Sequence, residues 1–194
     1  MLNYNKNLPQ GKDCIVIENL FDSYFNQLII NNLFDLGVWK LSTDHYREEE
    51  SVDLSKYSDT GFVMRSFDTT DDVFKQDGVI DIPFFKVSAD FIFNKVKSIL
   101  ELTNVEPCRV LWNYYNRSST GVYHVDNSED NYYSLLYNLH SSDGGTIIND
   151  SFYQSKEGTA LLFKSSTLHK GVGPTKNNQR FAVNIIFKTE ENKK

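Results

Sequence analysis

Cysteine is nearly absent from this 194-residue chain, which holds only Cys14 and Cys108. Two thiols so far apart exclude a disulfide framework and a cysteine-based zinc site. Long apolar runs are missing as well: the longest stretches, such as Leu28 to Ile30 and Ala160 to Phe163, fall far short of the ~20 residues of a membrane span. Met1 to Asp13 is polar and rich in Asn and Lys without an apolar core, so the sequence predicts no secretory signal, no membrane partner and a cytoplasmic address. Positive charge is also scarce, with 20 Lys and Arg against 26 Asp and Glu. A net charge of -6 argues against a nucleic-acid partner, because phosphate binders carry a basic footprint. The imbalance is local. Between Asp44 and Asp81 there are 11 acidic and 4 basic residues, which makes that segment -7 and leaves the remainder at +1.

What is present is ordinary globular composition, 40% hydrophobic and 14% aromatic, at a length that suits one domain. After a β-branched run at Cys14 to Ile17, the spacing of Phe21, Tyr24, Phe25, Leu28, Ile29, Leu33 and Leu36 predicts a helix ending near Gly37. A strand is expected from Gly61 to Phe67, and a second helix from Phe84 to Leu102. Charged loops at 44–60 and 68–82 flank that strand. They are expected either as solvated loops or as an entrance favouring a cationic or neutral peptide. From Pro107 the helical period gives way to short β-rich segments. These are Arg109 to Tyr115, Val122 to Asp126, Tyr132 to Leu139, Thr146 to Ile148, Thr159 to Phe163, Leu168 to Val172 and Arg180 to Lys188. Seven strands with turn signals between them predict a mainly β fold, a jelly-roll core supported by two N-terminal α-helices. The expected division is a support region at 1–106, the β core at 107–188 and a polar tail at 189–194, all within a single domain.

Four histidines are available. His124 and Asp126 stand two apart in a predicted strand, so both face one side. His169 opens a later strand and supplies a third ligand if the two strands lie side by side. Two imidazoles and a carboxylate form the facial triad that suits non-haem Fe(II). Arg180 is one of 5 arginines beside 15 lysines, and it begins the apolar strand Arg180 to Phe187. Arg180 and Asn184 share one face of that strand, and a buried arginine there calls for a carboxylate. His45 and His140 are not assigned to the metal.

The segments YHVDN from Tyr123, SLLYNL from Ser134, Gly144-Gly145-Thr146, and HKGVGPTKNNQRFAVNIIF from His169 together resemble the 2-oxoglutarate- and Fe(II)-dependent oxygenases, in the prolyl 4-hydroxylase-like branch. The resemblance spans about Arg109 to Lys188, and its Thr-Gly-x-Tyr element is shifted by one position around Tyr123. It implies a double-stranded β-helix, cupin-like in shape, with Fe(II) held by His124, Asp126 and His169. It also implies 2-oxoglutarate as cosubstrate with its far carboxylate on Arg180, O2 as oxidant and ascorbate as a candidate reductant. Tyr137 would donate to that carboxylate, Tyr115 would face the cosubstrate or substrate, and Asn184 would line the same pocket. Tyr115 and Tyr137 read equally well as core aromatics. The implied reaction hydroxylates a C–H bond of a prolyl or other residue in a peptide or protein, or of a small molecule, and yields succinate and CO2. A cupin-like protein that binds metal or a small ligand without turnover is the alternative, and Arg180 distinguishes the two.

Overall fold

The computed structural model describes residues 8–10, 14–36, 39–41, 62–69, 81–117 and 119–190. Residues 44–60, most of 68–82 and 191–194 therefore lie outside the described residues, together with the expectations attached to them.

The N-terminal half supplies strand β1 (Cys14–Ile17), helix α1 (Ser23–Leu36), strands β2 (Lys40–Leu41) and β3 (Phe62–Asp68), and helix α2 (Pro83–Ile99). Asp22 starts α1 by accepting the Phe25 N–H at 3.0 Å, as a helix N-cap does. Pro83 starts α2 at the position where a missing N–H costs nothing. The C-terminal half is β throughout: β4 (Val105–Asn116), β5 (Tyr132–Asn138), β6 (Gly145–Ile148), β7 (Ser151–Gln154), β8 (Thr159–Lys164), β9 (His169–Val172) and β10 (Gln179–Thr189). All pairings are antiparallel. They build a seven-stranded sheet in the order β1-β8-β5-β10-β4-β3-β2 and a three-stranded sheet in the order β7-β6-β9.

Two apolar layers follow from the alternation of side chains across the large sheet. On one face Phe181, Val183, Ile185 and Phe187 of β10 join Tyr133, Leu135 and Tyr137 of β5. There they pack on Ile29, Ile30 and Leu33 of α1 and on Phe85, Ile92, Phe93 and Val96 of α2. On the other face Leu136, Leu161, Phe163 and Ala182 meet Ile148 of the small sheet. The site lies on this second face, between the sheets.

Four elements differ from the sequence expectations, the short β2 (Lys40–Leu41), for which no strand was expected, being the first. β4 begins at Val105, with Pro107 inside it, because the ladder to β10 shifts register between Ile186 and Phe187 and leaves Cys108 as an extra residue. A bulge tolerates a proline that a regular ladder would not. β7 was not foreseen, since Ser151 to Gln154 has no β-branched residue. Val122 to Asp126 is not a regular strand: only His124 makes a bridge, to His169, while Thr120 bridges Val172.

Candidate metal centre and anion pocket

His124 and His169 exchange backbone hydrogen bonds, 2.9 Å from the His124 N–H and 3.0 Å from that of His169. That one bridge sets the imidazoles side by side, with ring centroids 4.3 Å apart. Each ring is then oriented by the same local device. His124 Nδ1 lies 2.9 Å from the Val122 carbonyl and His169 Nδ1 lies 2.8 Å from the Thr167 carbonyl. A carbonyl only accepts, so each Nδ1 carries the proton and each Nε2 presents a lone pair. The Asp126 carboxylate completes the group, with Oδ1 3.9 Å from His124 Nε2 and Oδ2 3.5 Å from His169 Nε2. All three ligand atoms fall within 4.8 Å of one another. Atoms bound to a common ion at about 2.1 Å stand roughly 3 to 4.2 Å apart depending on the angle, so the two His–Asp separations suit one metal ion. Among the described residues this is the one group of three or more His, Cys, Asp or Glu side chains placed to hold a metal.

The Asp126 side chain is 3% exposed, and its enclosure alone would raise its carboxyl. His169 when protonated, then the Arg109 guanidinium and His124 when protonated, outweigh that effect together with the Ser134 hydroxyl, and hold the carboxyl well below the usual carboxylate range. Ser134 Oγ donates to Asp126 Oδ2 at 2.6 Å, Asn184 Nδ2 donates to the same oxygen at 3.0 Å, and Arg109 Nη2 donates to Oδ1 at 3.2 Å.

Arg180 sits on the same face of β10, 1% exposed. Its Nη2 donates to Thr146 Oγ1 at 2.8 Å and reaches Asn138 Oδ1 at 3.5 Å. The guanidinium carbon lies 5.1 Å from the centre of the Tyr115 ring. Nε and Nη1 are buried without a hydrogen-bond partner. Burial pulls the Arg180 guanidinium down from its ordinary value, and no carboxylate among the described residues bonds to it. Burial likewise raises the Tyr115 hydroxyl, with the Arg180 charge opposing and the Asp126 charge reinforcing that rise. Tyr115 therefore feels both the cation and the Asp126 carboxylate. Gly171 makes this possible: a Cβ at that position would collide with the Tyr115 side chain.

The structure thus brings His124, Asp126, His169, Arg180, Tyr115 and Asn184 to one face. Asn184 bonds directly to the Asp126 carboxylate. Tyr137 is a correction. Its hydroxyl donates to Asn26 Oδ1 of α1 at 2.6 Å, on the opposite side of the sheet. The reason is register: Tyr137 pairs with Val183, which faces the helices, whereas Asn138 pairs with Ala182 and shares the face of Arg180. Sequence reasoning missed Arg109, Ser134 and Asn138. His140 is half-buried, with Nε2 on the Gln179 carbonyl at 3.0 Å, away from the triad.

The sequence matches no protein-family model and no curated protein. Similar solved structures exist. The viral collagen prolyl hydroxylase of Paramecium Bursaria Chlorella virus-1, in complex with 2-oxoglutarate, is 16% identical, with 93% of this chain and 98% of that one covered at a TM-score of 0.61. A prolyl hydroxylase of Trichoplax adhaerens, in complex with a hypoxia inducible factor peptide fragment, is 14% identical over 91% of this chain and 84% of that one, with a TM-score of 0.59. HygX of Streptomyces hygroscopicus, with nickel, 2-oxoglutarate and hygromycin B bound, is 12% identical over 92% and 83%, with a TM-score of 0.58. At these identities the likeness establishes the fold: two facing antiparallel sheets in a jelly-roll core, with helices packed on the outer face of the larger sheet.

Proposed function

We propose that this chain is a 2-oxoglutarate- and Fe(II)-dependent dioxygenase that hydroxylates a C–H bond of a peptide or protein substrate. The observation that carries the reading is Arg180. A buried guanidinium with two unpartnered nitrogens costs several kcal/mol unless an anion completes it, and here it lies on the same floor as a three-ligand metal group. A metal-binding jelly roll without oxygenase activity has no use for that arrangement. A small dicarboxylate does, since one end can chelate the metal while the other meets the arginine.

Iron(II) at the triad, together with 2-oxoglutarate and O2, supplies oxidative decarboxylation to succinate and CO2 and insertion of oxygen into a C–H bond. His124 and His169 would hold the metal through Nε2 and Asp126 through its carboxylate, leaving coordination positions open. Arg180 would receive the far carboxylate of 2-oxoglutarate through Nε and Nη1. Thr146 accepts from Arg180 Nη2, so its own hydroxyl hydrogen would donate to that carboxylate. Tyr115 would cover the carbon chain with its ring. Enclosure between two sheets keeps water from the cation and strengthens each of these contacts. The peptide substrate is supported by the viral collagen prolyl hydroxylase and by the peptide-bound prolyl hydroxylase among the similar structures.

The test is succinate formation from 2-oxoglutarate under Fe(II) and ascorbate, with and without proline-containing peptides, for wild type and Asp126→Ala. Succinate that depends on Asp126 and rises with peptide supports the proposal. Metal binding without any turnover returns the cupin-like reading, and turnover stimulated by a small molecule alone removes the peptide.

A further inference from the structure

Asp126 is the triad member with the least backbone support: it lies in a bend, and its N–H bonds to the Ser165 carbonyl at 2.9 Å outside any strand. Three neighbouring strands of the large sheet reach out to hold its carboxylate, β4 with Arg109, β5 with Ser134 and β10 with Asn184. The donors are shared unequally. Oδ2 accepts from both Ser134 and Asn184, which uses its two lone pairs, whereas Oδ1 accepts from Arg109 alone and keeps one. Arg109 does more than reach Oδ1. The same Nη2 lies 3.3 Å from the Asp126 main-chain oxygen, so one nitrogen pins both the side chain and the backbone of the ligand. Arg109 is 8% exposed, in a strand whose alternate residues Val110 and Trp112 are core. On packing grounds an apolar residue would serve that position better.

We propose that Arg109 is a positioning residue for the metal. It holds Asp126 so that the carboxylate ligates through a single oxygen, Oδ1, with Oδ2 kept by Ser134 and Asn184. The inference rests on the metal-triad part of the function proposed above. Two physical effects of the guanidinium oppose each other. It orients the ligand, which favours binding, and it repels a divalent cation, which disfavours binding. If Arg109 served only as counter-charge to the carboxylate, its removal would tighten metal binding; if it positions, removal weakens it.

The experiment is a Co(II) titration of wild type, Arg109→Met, Arg109→Lys and Ser134→Ala, read by calorimetry and by the visible absorption of the bound ion. Melting of the metal-free proteins reports folding. Loss of an outer partner of a metal ligand typically costs 10- to 100-fold in affinity, and we expect a loss of roughly that size in Arg109→Met. Arg109→Lys, which keeps charge but not the planar fork, is expected to fall between. A cobalt spectrum altered in both Arg109 variants goes with this result. Affinity equal to or tighter than wild type in a folded Arg109→Met protein overturns the positioning role while leaving the metal site standing. If that variant does not fold, Arg109→Lys within twofold of wild type overturns it equally. A wild-type chain that binds no cobalt overturns the metal reading and this inference with it.

Discussion

Replacing Arg180 by methionine should stabilise the protein without cosubstrate and abolish its response to cosubstrate. Arg180 is buried with Nε and Nη1 unpartnered. Each buried donor left without a partner costs about 1–3 kcal/mol. Methionine removes both donors and keeps much of the side-chain volume, while sacrificing the Thr146 bond at roughly 1 kcal/mol. The net effect is a gain of about 1–5 kcal/mol, and in a domain of this size each kcal/mol raises Tm by roughly 2–4 °C. With 2-oxoglutarate the order reverses. At about 100 times its Kd the ligand stabilises wild type by ~2.7 kcal/mol. Two lost charge-assisted bonds at about 1.5–3 kcal/mol each weaken the variant's affinity at least 100-fold, so the same concentration gives it almost nothing. The assay is thermal unfolding of both proteins with Mn(II) in place of iron, across a 2-oxoglutarate series. A variant that melts below wild type without 2-oxoglutarate, and gains as much as wild type from it, would refute the reasoning.

Tyr137→Phe separates the helix face from the site. It strands the buried Asn26 Oδ1, which now receives the hydroxyl at 2.6 Å, and should cost about 1–3 kcal/mol in denaturant unfolding with the 2-oxoglutarate Kd unchanged. A raised Kd with unaltered stability would return Tyr137 to the pocket. Gly171→Ala forces the Tyr115 ring away from Arg180, because the new Cβ meets the Tyr115 side chain. Cosubstrate affinity measured by calorimetry should fall roughly tenfold, the effect of about 1.4 kcal/mol of lost contact, and an unchanged affinity would show that Tyr115 plays no part. His140 carries a pH signature. Burial above all pushes its pKa below the ordinary value, against the Gln179 carbonyl that raises it. The folded chain therefore binds fewer protons than the unfolded chain near pH 6.5, and this contribution to stability is present above that pH and lost as pH falls through it. Between pH 7.5 and 5.5 the Tm of His140→Gln should drop less than that of wild type, and parallel curves would contradict the burial argument.

Much of the fold was legible because its apolar periods are long. α1 and α2 follow from three- and four-residue spacing, and β10 follows from an apolar run broken only by Asn184, which a strand sandwiched between helices and a second sheet requires. The parity of Arg180 and Asn184 was also legible, since it needs only one strand. Tyr137 was not, because its face depends on how β5 registers against β10, and SLLYN is apolar enough to read with either face inward. Arg109 is instructive for the opposite reason. The signal that marked Arg180, a rare arginine inside an apolar strand, was present at Arg109 in the same form, on the same face as Tyr115. Ser134 had no signal at all, since its role appears only when Asp126 is brought against β5.

The His-x-Asp element owes its geometry to something other than the strand that its spacing suggests. In a regular strand both side chains would project together by parity alone, and each would keep the freedom of its own rotamers. Here the segment is irregular, and each ligand is fixed by a separate device: the bridge to His169 for His124, a carbonyl two residues back for each imidazole, and three donors from the large sheet for Asp126. Precision is thereby transferred from an irregular segment to the central strands β4, β10 and β5, whose other face packs under both helices. The same three strands carry Tyr115, Arg180 and Asn138. The Asp126 carboxylate and the Arg180 guanidinium are therefore held from one floor, where the register of these strands sets their separation. Surface loops can then diverge without disturbing the distance between the Asp126 carboxylate and Arg180.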